Sequence, residues 1–263
     1  TTSKAKLRSV MDQAKALRLA QECFHDTSID NVTMRSIARL WAGMGNIYKV
    51  HCPSVGKTLI VKYVHPRLSK GKLSIGDQRK LDSYLVEASF YEDHAQRLID
   101  EHQVPLAKPY KVERHLETPT NPTIIICMSP LEDPGYGLDN VHEGVMHWLA
   151  KFHAATWQAD PEQLQAVGSY WHLETRPNEW DQMPRKGWEG RLKLAARAID
   201  ERLKRDPLQC WVHGDTKDAN LLKYSDEELA FCDFQYVGRG PPTRDLSYYF
   251  CTSGVDDEQE REE

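Results

Sequence analysis

The segment VHGDTKDANLL, residues 212–222, places several polar side chains between two apolar flanks. The polar residues are His213, Asp215, Lys217, Asp218 and Asn220, and the flanks are Trp211 and Val212 on one side and Leu221 and Leu222 on the other. For an isolated fragment, a solvated turn is the simpler interpretation of this pattern. The choice between a turn and a functional loop therefore depends on whether the rest of the chain supplies matching groups.

The residues that follow supply such groups. NLLKY (220–224) and LAFCDF (229–234) are apolar runs separated by SDEE, a pattern that predicts a small β-hairpin. Because a hairpin brings its two ends together, we expect Asn220 and Asp233 to face one cation. Carboxylate and amide oxygens are hard ligands of the kind that Mg²⁺ prefers. Asp215 is then left beside the metal to accept a proton.

The composition indicates an ordinary globular protein. The chain has 263 residues, of which 40% are apolar and 28% are charged, and this is enough material for one large domain or two lobes. The formal net charge is -5, so the sequence has no basic footprint for nucleic acid. A chain without a basic surface can still bind phosphate, but it must do so through a few specifically positioned side chains and a metal ion.

The cysteines and the N-terminal segment bear on the cellular compartment. The six cysteines are scattered without a C-x-x-C pair, which favours free thiols in a reduced compartment over disulfides or a zinc site. The N-terminal residues lack an unbroken apolar core of a signal peptide, and no apolar run reaches the length of a membrane-spanning helix. We therefore expect a cytoplasmic protein with no membrane partner.

The order of predicted elements indicates a two-lobed α+β protein. The first twenty-five residues have an amphipathic helical pattern, residues 32–64 contain short β-rich runs, and residues 80–102 form one long helical pattern. A connector over 129–137 leads to helical patterns at 142–159 and 188–205, with an irregular span from Gly168 to Gly187 between them. The positions on the first helical face are Leu7, Val10, Met11, Ala14, Leu17 and Ala20. An antiparallel sheet with one helix, followed by a mainly helical lobe, fits this order better than an alternating parallel sheet.

Two motifs together make the sequence recognisable. HGDTKDAN (213–220) followed by CDFQ (232–235) resembles the catalytic loop and metal-binding motif of the protein-kinase-like superfamily. H-G-D in place of H-R-D and D-F-Q in place of D-F-G are typical of its small-molecule branch: aminoglycoside phosphotransferases, choline kinases and the CHK or ecdysteroid-kinase-like group. The resemblance extends from Ala38 to Phe250. It implies a protein-kinase-like fold with a nucleotide-binding N-lobe at residues 1–130 and a C-lobe carrying both motifs at residues 131–263.

The resemblance also implies a nucleotide site in the first lobe. GMGNIYKV (43–50) is similar to the glycine-rich loop, with Tyr48 at the position of the third glycine, and LIVK (59–62) is similar to the strand that carries the phosphate-binding lysine. VEASFYEDHA (86–95) resembles the helix that supplies the ion-pair partner of this lysine, with Glu87 assigned and Glu92 as its competitor. The segment from Met128 to Leu131 resembles the hinge that receives adenine. The implied nucleotide-binding residues are Gly43, Gly45, Lys62, Glu87, Met128 and Leu131.

In the second lobe the resemblance implies the catalytic machinery. Asp215 takes the position of the catalytic base, and Asn220 and Asp233 take those of the Mg²⁺ ligands. Lys217 has the position of the phosphate-directed lysine of Ser/Thr protein kinases, and a solvated side chain is the alternative. His213 and Asp245 are expected to brace the loop.

The expected function is transfer of the γ-phosphate of ATP, with Mg²⁺, to a hydroxyl of a small molecule. A pseudokinase or nucleotide-binding scaffold without turnover is the first alternative, and a protein kinase is the second. The segment 168–188 is the candidate wall for the acceptor, with Tyr170, Trp171, Trp180 and Trp188 as its aromatic residues. Packing within the lobe is the competing interpretation of these aromatics. Because the segment also carries Arg176, Arg185 and Lys186, we expect a neutral or zwitterionic alcohol as the partner of the enzyme.

Overall fold

The computed structural model describes residues 11–66, 75–117, 122–133 and 141–253. The described residues form two compact units. The first comprises those within Thr1–Asp100 and Leu106–Glu132, and the second comprises Glu101–Pro105 and those within Asp133–Glu263. The division of the chain into domains at residues 1–130 and 131–263 stays a prediction.

The first unit is built on a five-stranded antiparallel sheet. Its strands are β1 (Thr33–Arg39), β2 (Gly45–Cys52), β3 (Lys57–Val64), β4 (Pro109–His115) and β5 (Thr123–Met128), in the spatial order β1-β2-β3-β5-β4. All six residues of β5 are buried, since the strand lies between β3 and β4 and is covered on both faces. A continuous apolar run such as TIIICM suits a strand in this position. By contrast β4, with the half-buried and charged sequence PYKVERH, gave no strand pattern in the sequence.

One face of the sheet is covered by α1 (Gln13–Phe24). The helix begins after Asp12, whose side chain accepts a hydrogen bond from the Lys15 N–H at 2.8 Å. Its buried residues are spaced as one helical face and pack on the sheet: Ala16, Leu19, Ala20 and Cys23. The helical face predicted from the sequence was therefore partly wrong, because Ala14 is exposed and Leu17 only partly buried. Leu7 and Val10 lie outside the described residues.

The long helix predicted from residue 80 to residue 102 is interrupted. It consists of α2 (Ile75–Ser89), a π-helical turn (Phe90–His94) and α3 (Ala95–His102). A π-helical turn adds a residue to the helical repeat and rotates the following face. Here the extra residue allows Phe90 and Tyr91, two large neighbouring side chains, to be buried together.

The second unit is mainly helical, as predicted. Its helices are α4 (Val141–Ala155), α5 (Pro177–Gln182), α6 (Gly187–Lys204) and α7 (Thr243–Thr252). Two short antiparallel ladders accompany them, β6 (Cys210–Val212) with β9 (Gly238–Gly240), and β7 (Leu221–Lys223) with β8 (Leu229–Phe231). The β7–β8 ladder is the hairpin that the sequence predicted.

The core of the second unit forms around Trp148 of α4. Its ring stacks on Phe152 at a centroid distance of 5.0 Å and meets Phe231 edge-on at the same distance. The indole N–H donates to the Pro105 carbonyl at 2.8 Å, so the one polar atom of this buried side chain is satisfied. The six cysteines are free thiols. In the part of the chain that the structure describes, no helix has both the length and the apolar character needed to cross a membrane.

Candidate active site

The polar loop between β6 and β7 is held in place by Asp245 of α7. The Asp245 carboxylate is fully buried and accepts the backbone N–H of His213 at 2.7 Å and that of Gly214 at 2.8 Å. The Thr216 hydroxyl donates to the Asp245 carbonyl at 2.8 Å, and His153 Nε2 lies 2.8 Å from the Asp245 carboxylate. A carboxylate with several charge-assisted hydrogen bonds fixes the groups that donate to it. Asp245 therefore positions the loop, as the sequence predicted.

His213 is a buried brace of the same loop. Its ring packs edge-on against Phe234 at 4.7 Å and against Trp148 at 6.2 Å. Nε2 lies 3.0 Å from the Cys232 carbonyl, and Nδ1 accepts the Asp215 N–H at 3.3 Å, so these partners assign the proton to Nε2 of a neutral ring. Burial lowers the pKa of His213, although nearby carboxylates oppose this effect. A neutral ring with both nitrogens engaged supports the loop and is not available for proton transfer.

Gly214 stands where the chain passes close to two other segments. Its φ is 84°, and a Cβ at this position would lie 2.5 Å from the Tyr236 carbonyl oxygen and 2.9 Å from the Ser169 backbone. The Ser169 N–H donates to the Tyr236 carbonyl at 3.2 Å, and the Tyr170 N–H donates to the Gly214 carbonyl at 2.8 Å. The segment at 169–170 is thus bound by its backbone to both the loop and the chain that follows Asp233.

The Asp215 side chain is buried, with only one of its two oxygens hydrogen-bonded. Oδ2 accepts from Lys217 Nζ at 2.8 Å and from Asn220 Nδ2 at 3.0 Å. Oδ1 is buried and has no hydrogen-bond partner among the residues that the structure describes. Lys217 is more exposed than Asp215, with 38% of its side chain accessible against 6%. The carboxylate is therefore held at one oxygen, while the other has no hydrogen-bond partner in the described part of the chain.

The β7–β8 hairpin brings Asn220 and Asp233 to adjacent positions. The Cys232 N–H donates to the Asn220 carbonyl at 2.9 Å, which extends the ladder by one pair beyond Leu221 and Phe231. Asp233 follows at once with φ 71°, an uncommon conformation for a residue with a side chain. The Gln235 amide donates a hydrogen bond to Asp233 Oδ1.

The groups at the end of this hairpin fit a magnesium ion. The Asn220 amide nitrogen is turned toward Asp215, so its amide oxygen points elsewhere, and Asp233 contributes a carboxylate. These two oxygen types match the preference of Mg²⁺, which keeps several water or phosphate ligands and needs only one or two protein oxygens. No group of three or more His, Cys, Asp or Glu residues suited to a metal exists within the described ranges. The donor set therefore suits an ion that shares its coordination with phosphate.

In the first unit, Lys62 and Glu87 form a buried ion pair. Lys62 Nζ lies 2.6 Å from Glu87 Oε2, and the two side chains are 6% and 1% exposed. The competing residue of the same helical stretch, Glu92, pairs with Arg114 instead. Removal of either partner would leave an unpaired charge in the interior, which is strongly destabilising. The pair fixes the lysine ammonium near the C-terminal end of β3.

The two glycines of the predicted phosphate loop lie in a tight connection between β1 and β2. Gly43 ends a 3₁₀ turn, and Gly45 begins β2 so close to β3 that a Cβ would lie 2.1 Å from the Tyr63 carbonyl oxygen. The His65 N–H donates to the Met44 carbonyl at 2.7 Å and ties the turn to the end of β3. The turn is thus packed against the strand that carries the lysine.

Met128 and Leu131, the predicted hinge residues, lie at and after the end of β5. Met128 is the last residue of the strand and is buried, and Leu131 is partly buried. Between them the Ser129 N–H donates to the Lys108 carbonyl at 2.9 Å, while the Ser129 hydroxyl accepts the Lys108 N–H at 2.8 Å. This exchange anchors the segment, and its role in adenine binding stays a prediction.

The structure adds Tyr248, which the sequence analysis overlooked. Burial, followed by the charge of the neighbouring Asp215 carboxylate, raises the pKa of Tyr248 to about 12. The Tyr248 hydroxyl is therefore close enough to the Asp215 carboxylate to interact with it directly. Tyr248 lies three residues after Asp245 on α7 and therefore on the same helical face. This spacing is the signal that could have identified it.

The structure also brings Arg176 to two of the predicted aromatic residues. Its guanidinium carbon lies 3.7 Å from the centroid of the Tyr170 ring and 4.7 Å from that of Trp171. Arg176 Nη1 lies 3.3 Å from the exposed Glu179 carboxylate, whereas Nε is buried with no partner among the described residues. We call Tyr170, Trp171 and Arg176 the aromatic–arginine cluster.

The other two aromatic residues of the predicted wall lie elsewhere. The Trp180 indole N–H donates to the Lys193 carbonyl at 3.4 Å, and the Arg197 guanidinium lies 4.8 Å from the Trp180 ring, so this side chain packs between α5 and α6. Trp188 is 67% exposed at the start of α6. Packing within the unit is thus the better interpretation for Trp180, and only Tyr170 and Trp171 adjoin the loop of Asp215.

A protein-family model matches the larger part of the chain. The family model described as the phosphotransferase enzyme family matches residues 78–262 of the chain. No curated protein sequence matches the chain. The family match covers both the polar loop and the hairpin that follows it.

Solved structures that align with the chain include a choline kinase and a macrolide 2'-phosphotransferase. Choline kinase LicA from Streptococcus pneumoniae aligns over 93% of this chain and 77% of its own, with a TM-score of 0.54 and 16% identity. LicA in complex with AMP aligns over the same shares, with a TM-score of 0.52 and 18% identity. Macrolide 2'-phosphotransferase MphH from Brachybacterium faecium aligns over 91% of this chain and 77% of its own, with a TM-score of 0.47 and 16% identity. The likeness to LicA shows the fold, which is the α+β protein-kinase-like fold that the sequence predicted.

Proposed function

Because the chain belongs to the phosphotransferase enzyme family, we propose that it transfers the γ-phosphate of ATP to a hydroxyl group of a small molecule in a Mg²⁺-dependent reaction. The observation that carries this proposal is the Asp215 carboxylate, buried with Oδ2 hydrogen-bonded and Oδ1 without a partner in the described part of the chain. A buried polar atom without a partner costs about 1–3 kcal/mol. Such a cost is accounted for when a substrate hydroxyl supplies the missing hydrogen bond.

The acceptor hydroxyl donates to Asp215 Oδ1 in the proposed reaction. Its oxygen forms a bond to the γ-phosphorus, the bond from that phosphorus to the β–γ bridging oxygen breaks, and ADP leaves with the electron pair. Asp215 takes the proton of the hydroxyl. Lys217, 2.8 Å from the other carboxylate oxygen, holds the base in orientation and places a positive charge beside the transferred phosphoryl group. Transfer of this kind depends mostly on positioning and on charge neutralisation.

Asn220 and Asp233 would hold Mg²⁺ through an amide oxygen and a carboxylate. The ion, when bound, neutralises charge on the phosphate oxygens. Gln235, which donates to Asp233, restricts the orientation of that carboxylate. The hydrogen bond from the Cys232 N–H to the Asn220 carbonyl keeps the two proposed ligands, Asn220 and Asp233, at fixed positions on the hairpin.

The nucleotide is proposed to bind to the first unit through three groups. Lys62, held by Glu87, binds the α- and β-phosphates. The backbone of the turn from Gly43 to Gly45 covers the phosphates. Backbone groups between Met128 and Leu131 receive the adenine.

A screen for Mg·ATP consumption across small alcohols tests the proposal. Asp215→Asn is expected to lower transfer by roughly 10²–10⁴-fold, because it removes the proton acceptor with little change in size. Asp218→Asn is the matched control, since Asp218 is an exposed aspartate three residues further along the same loop. The Asp215→Asn variant should keep the thermal stabilisation that Mg·ATP gives the wild type.

Each alternative gives a different result in the same assays. Wild-type turnover by Asp215→Asn would refute Asp215 as the base. Thermal stabilisation by Mg·ATP, with no consumption of ATP in the presence of any alcohol tested, would indicate a nucleotide-binding scaffold. Phosphorylation of a generic protein substrate, with no small alcohol accepted, would indicate a protein kinase. A melting temperature that does not respond to millimolar Mg·ATP would refute nucleotide binding.

A further inference from the structure

The aromatic–arginine cluster is tied to the loop of Asp215 by backbone contacts. The Tyr170 N–H donates to the carbonyl of Gly214, the residue directly before Asp215, at 2.8 Å. Thr175 holds the other end of the segment, since its hydroxyl donates to the Tyr170 carbonyl at 2.9 Å. Arg176 follows Thr175 and folds back over the Tyr170 ring. The cluster therefore has a fixed position next to the proposed base.

A positive charge of the protein already occupies the aromatic faces of this cluster. Rings such as those of Tyr170 and Trp171 bind cations through their faces. Here the Arg176 guanidinium lies over both rings, so an ammonium group of an acceptor would meet a like charge at the place where the rings could hold it. This arrangement disfavours a cationic alcohol such as an amino sugar or a quaternary ammonium compound.

The charge and hydrogen-bonding state of Arg176 favour a negative group. Its side chain is 21% exposed, so it is largely screened from water while a small molecule can still reach it. Nη1 pairs with the exposed Glu179, but the buried Nε has no partner among the described residues. A guanidinium binds carboxylate and phosphate oxygens through parallel hydrogen bonds, and such a group would satisfy the remaining donors.

Other groups around Asp215 agree with a negative acceptor. The Lys217 ammonium lies 2.8 Å from the Asp215 carboxylate and offsets its negative charge, so the base repels an anionic acceptor less than an unpaired carboxylate would. The only carboxylate paired with Arg176 in the described structure is that of Glu179, which is 51% exposed.

We infer that the acceptor is an alcohol that also carries an anionic group, a carboxylate or a phosphate, and that Arg176 binds this group beside Tyr170 and Trp171. This inference rests on the proposed function, since it defines the acceptor of that same reaction. It departs from the neutral alcohol expected from the sequence, and it agrees with a zwitterionic one only in requiring a negative group at a distance from the reacting hydroxyl.

Matched probes that differ only in charge test the inference. Calorimetric titration of the protein would use para-hydroxymethylbenzoate, the corresponding phosphonate, the neutral para-hydroxymethylbenzamide and the cationic para-hydroxymethylbenzylamine. We expect at least one of the two anions to bind the wild type about tenfold more tightly than the amide, which is the usual effect of a charge-assisted hydrogen bond. The comparison of benzoate with phosphonate shows which anionic group the site prefers.

Three variants assign the preference to Arg176. Arg176→Gln should bring anion binding to the level of amide binding in the same variant, whereas Arg176→Lys should keep part of the preference. Arg197→Gln is the control, because Arg197 also stacks on a tryptophan but is tied to α5 and α6. Its anion-to-amide ratio should equal that of the wild type.

Several results would overturn the inference. These are equal binding of the anions and the amide, absence of anion binding at millimolar concentrations, tightest binding of the amine, and an unchanged ratio in Arg176→Gln. Failure of the proposed function looks different: the anion binds through Arg176, but no alcohol is phosphorylated in an Asp215-dependent manner. Asp215-dependent phosphorylation of neutral or cationic alcohols in preference to acids would leave the function intact and refute only the inference.

Discussion

Replacement of Gly214 by alanine separates backbone conformation from close packing at the catalytic loop. A residue with a side chain at φ 84° carries a conformational cost of about 1–2 kcal/mol. The new Cβ would also lie 2.5 Å from the Tyr236 carbonyl oxygen and 2.9 Å from the Ser169 backbone. Because both neighbours are backbone atoms, the chain itself must move, and overpacking of this kind costs about 1–3 kcal/mol more. The expected loss of stability is therefore about 2–5 kcal/mol.

Gly187→Ala is the matched control in the same unit. Gly187 has φ 70°, but a Cβ there would meet nothing within 4 Å, so only the conformational cost of about 1–2 kcal/mol remains. The assay is urea unfolding of both variants, with phosphotransfer measured on the folded protein. Gly214→Ala should be the less stable variant by about 1–3 kcal/mol, and a loop displacement of about 1 Å should lower transfer by about 10²-fold. Equal stabilities of the two variants would refute the close approach of the loop, Tyr236 and Ser169.

Two further predictions concern the ion pair and the buried histidine. Glu87→Gln should weaken the Mg·ATP-induced rise in melting temperature, because Lys62 loses its buried carboxylate, whereas Glu92→Gln should not; equal shifts in both variants would contradict the assignment of Glu87. In the folded protein the pKa of His213 lies below its ordinary value of about 6.5. Just below pH 6.5 the unfolded state therefore binds more protons than the folded state. The free energy of unfolding should fall as the pH decreases from about 6.5, by at most about 1.4 kcal/mol per pH unit. Denaturant midpoints across this pH range should show a weaker dependence in His213→Gln, and an identical dependence would contradict the prediction.

Features with a local sequence pattern were predictable. The β7–β8 hairpin follows from two apolar runs around SDEE, and α6 follows from its helical periodicity. The strand β4 was not predictable, since its half-buried, charged residues show no alternation that distinguishes a strand from a loop. The π-helical turn at Phe90–His94 was also missed, because one extra residue in a helix leaves the local composition unchanged.

The candidate site was predictable where its residues share one short segment. Asp215, Asn220 and Asp233 were found because a hairpin brings nearby positions together. Arg176 and Tyr248 are 39 and 33 residues from Asp215 and reach its surroundings through tertiary packing, which no periodicity encodes. Trp180 and Tyr170 are both aromatic residues of the same irregular segment, and the sequence does not distinguish them. In the structure Trp180 packs between α5 and α6, whereas Tyr170 is bound to the loop of Asp215.

The attachment of residues 169 and 170 to the loop through backbone atoms has an evolutionary consequence. The Tyr170 N–H makes its contact from the backbone, so any residue other than proline at this position retains it, whereas Ser169, at φ 143°, is restricted to residues that tolerate a positive φ. Mutations can therefore change the side chains at 170, 171 and 176, and with them the chemical preference for the acceptor, without moving Asp215. A lineage, or a designer, can explore new acceptors at these positions while the transfer step is inherited unchanged.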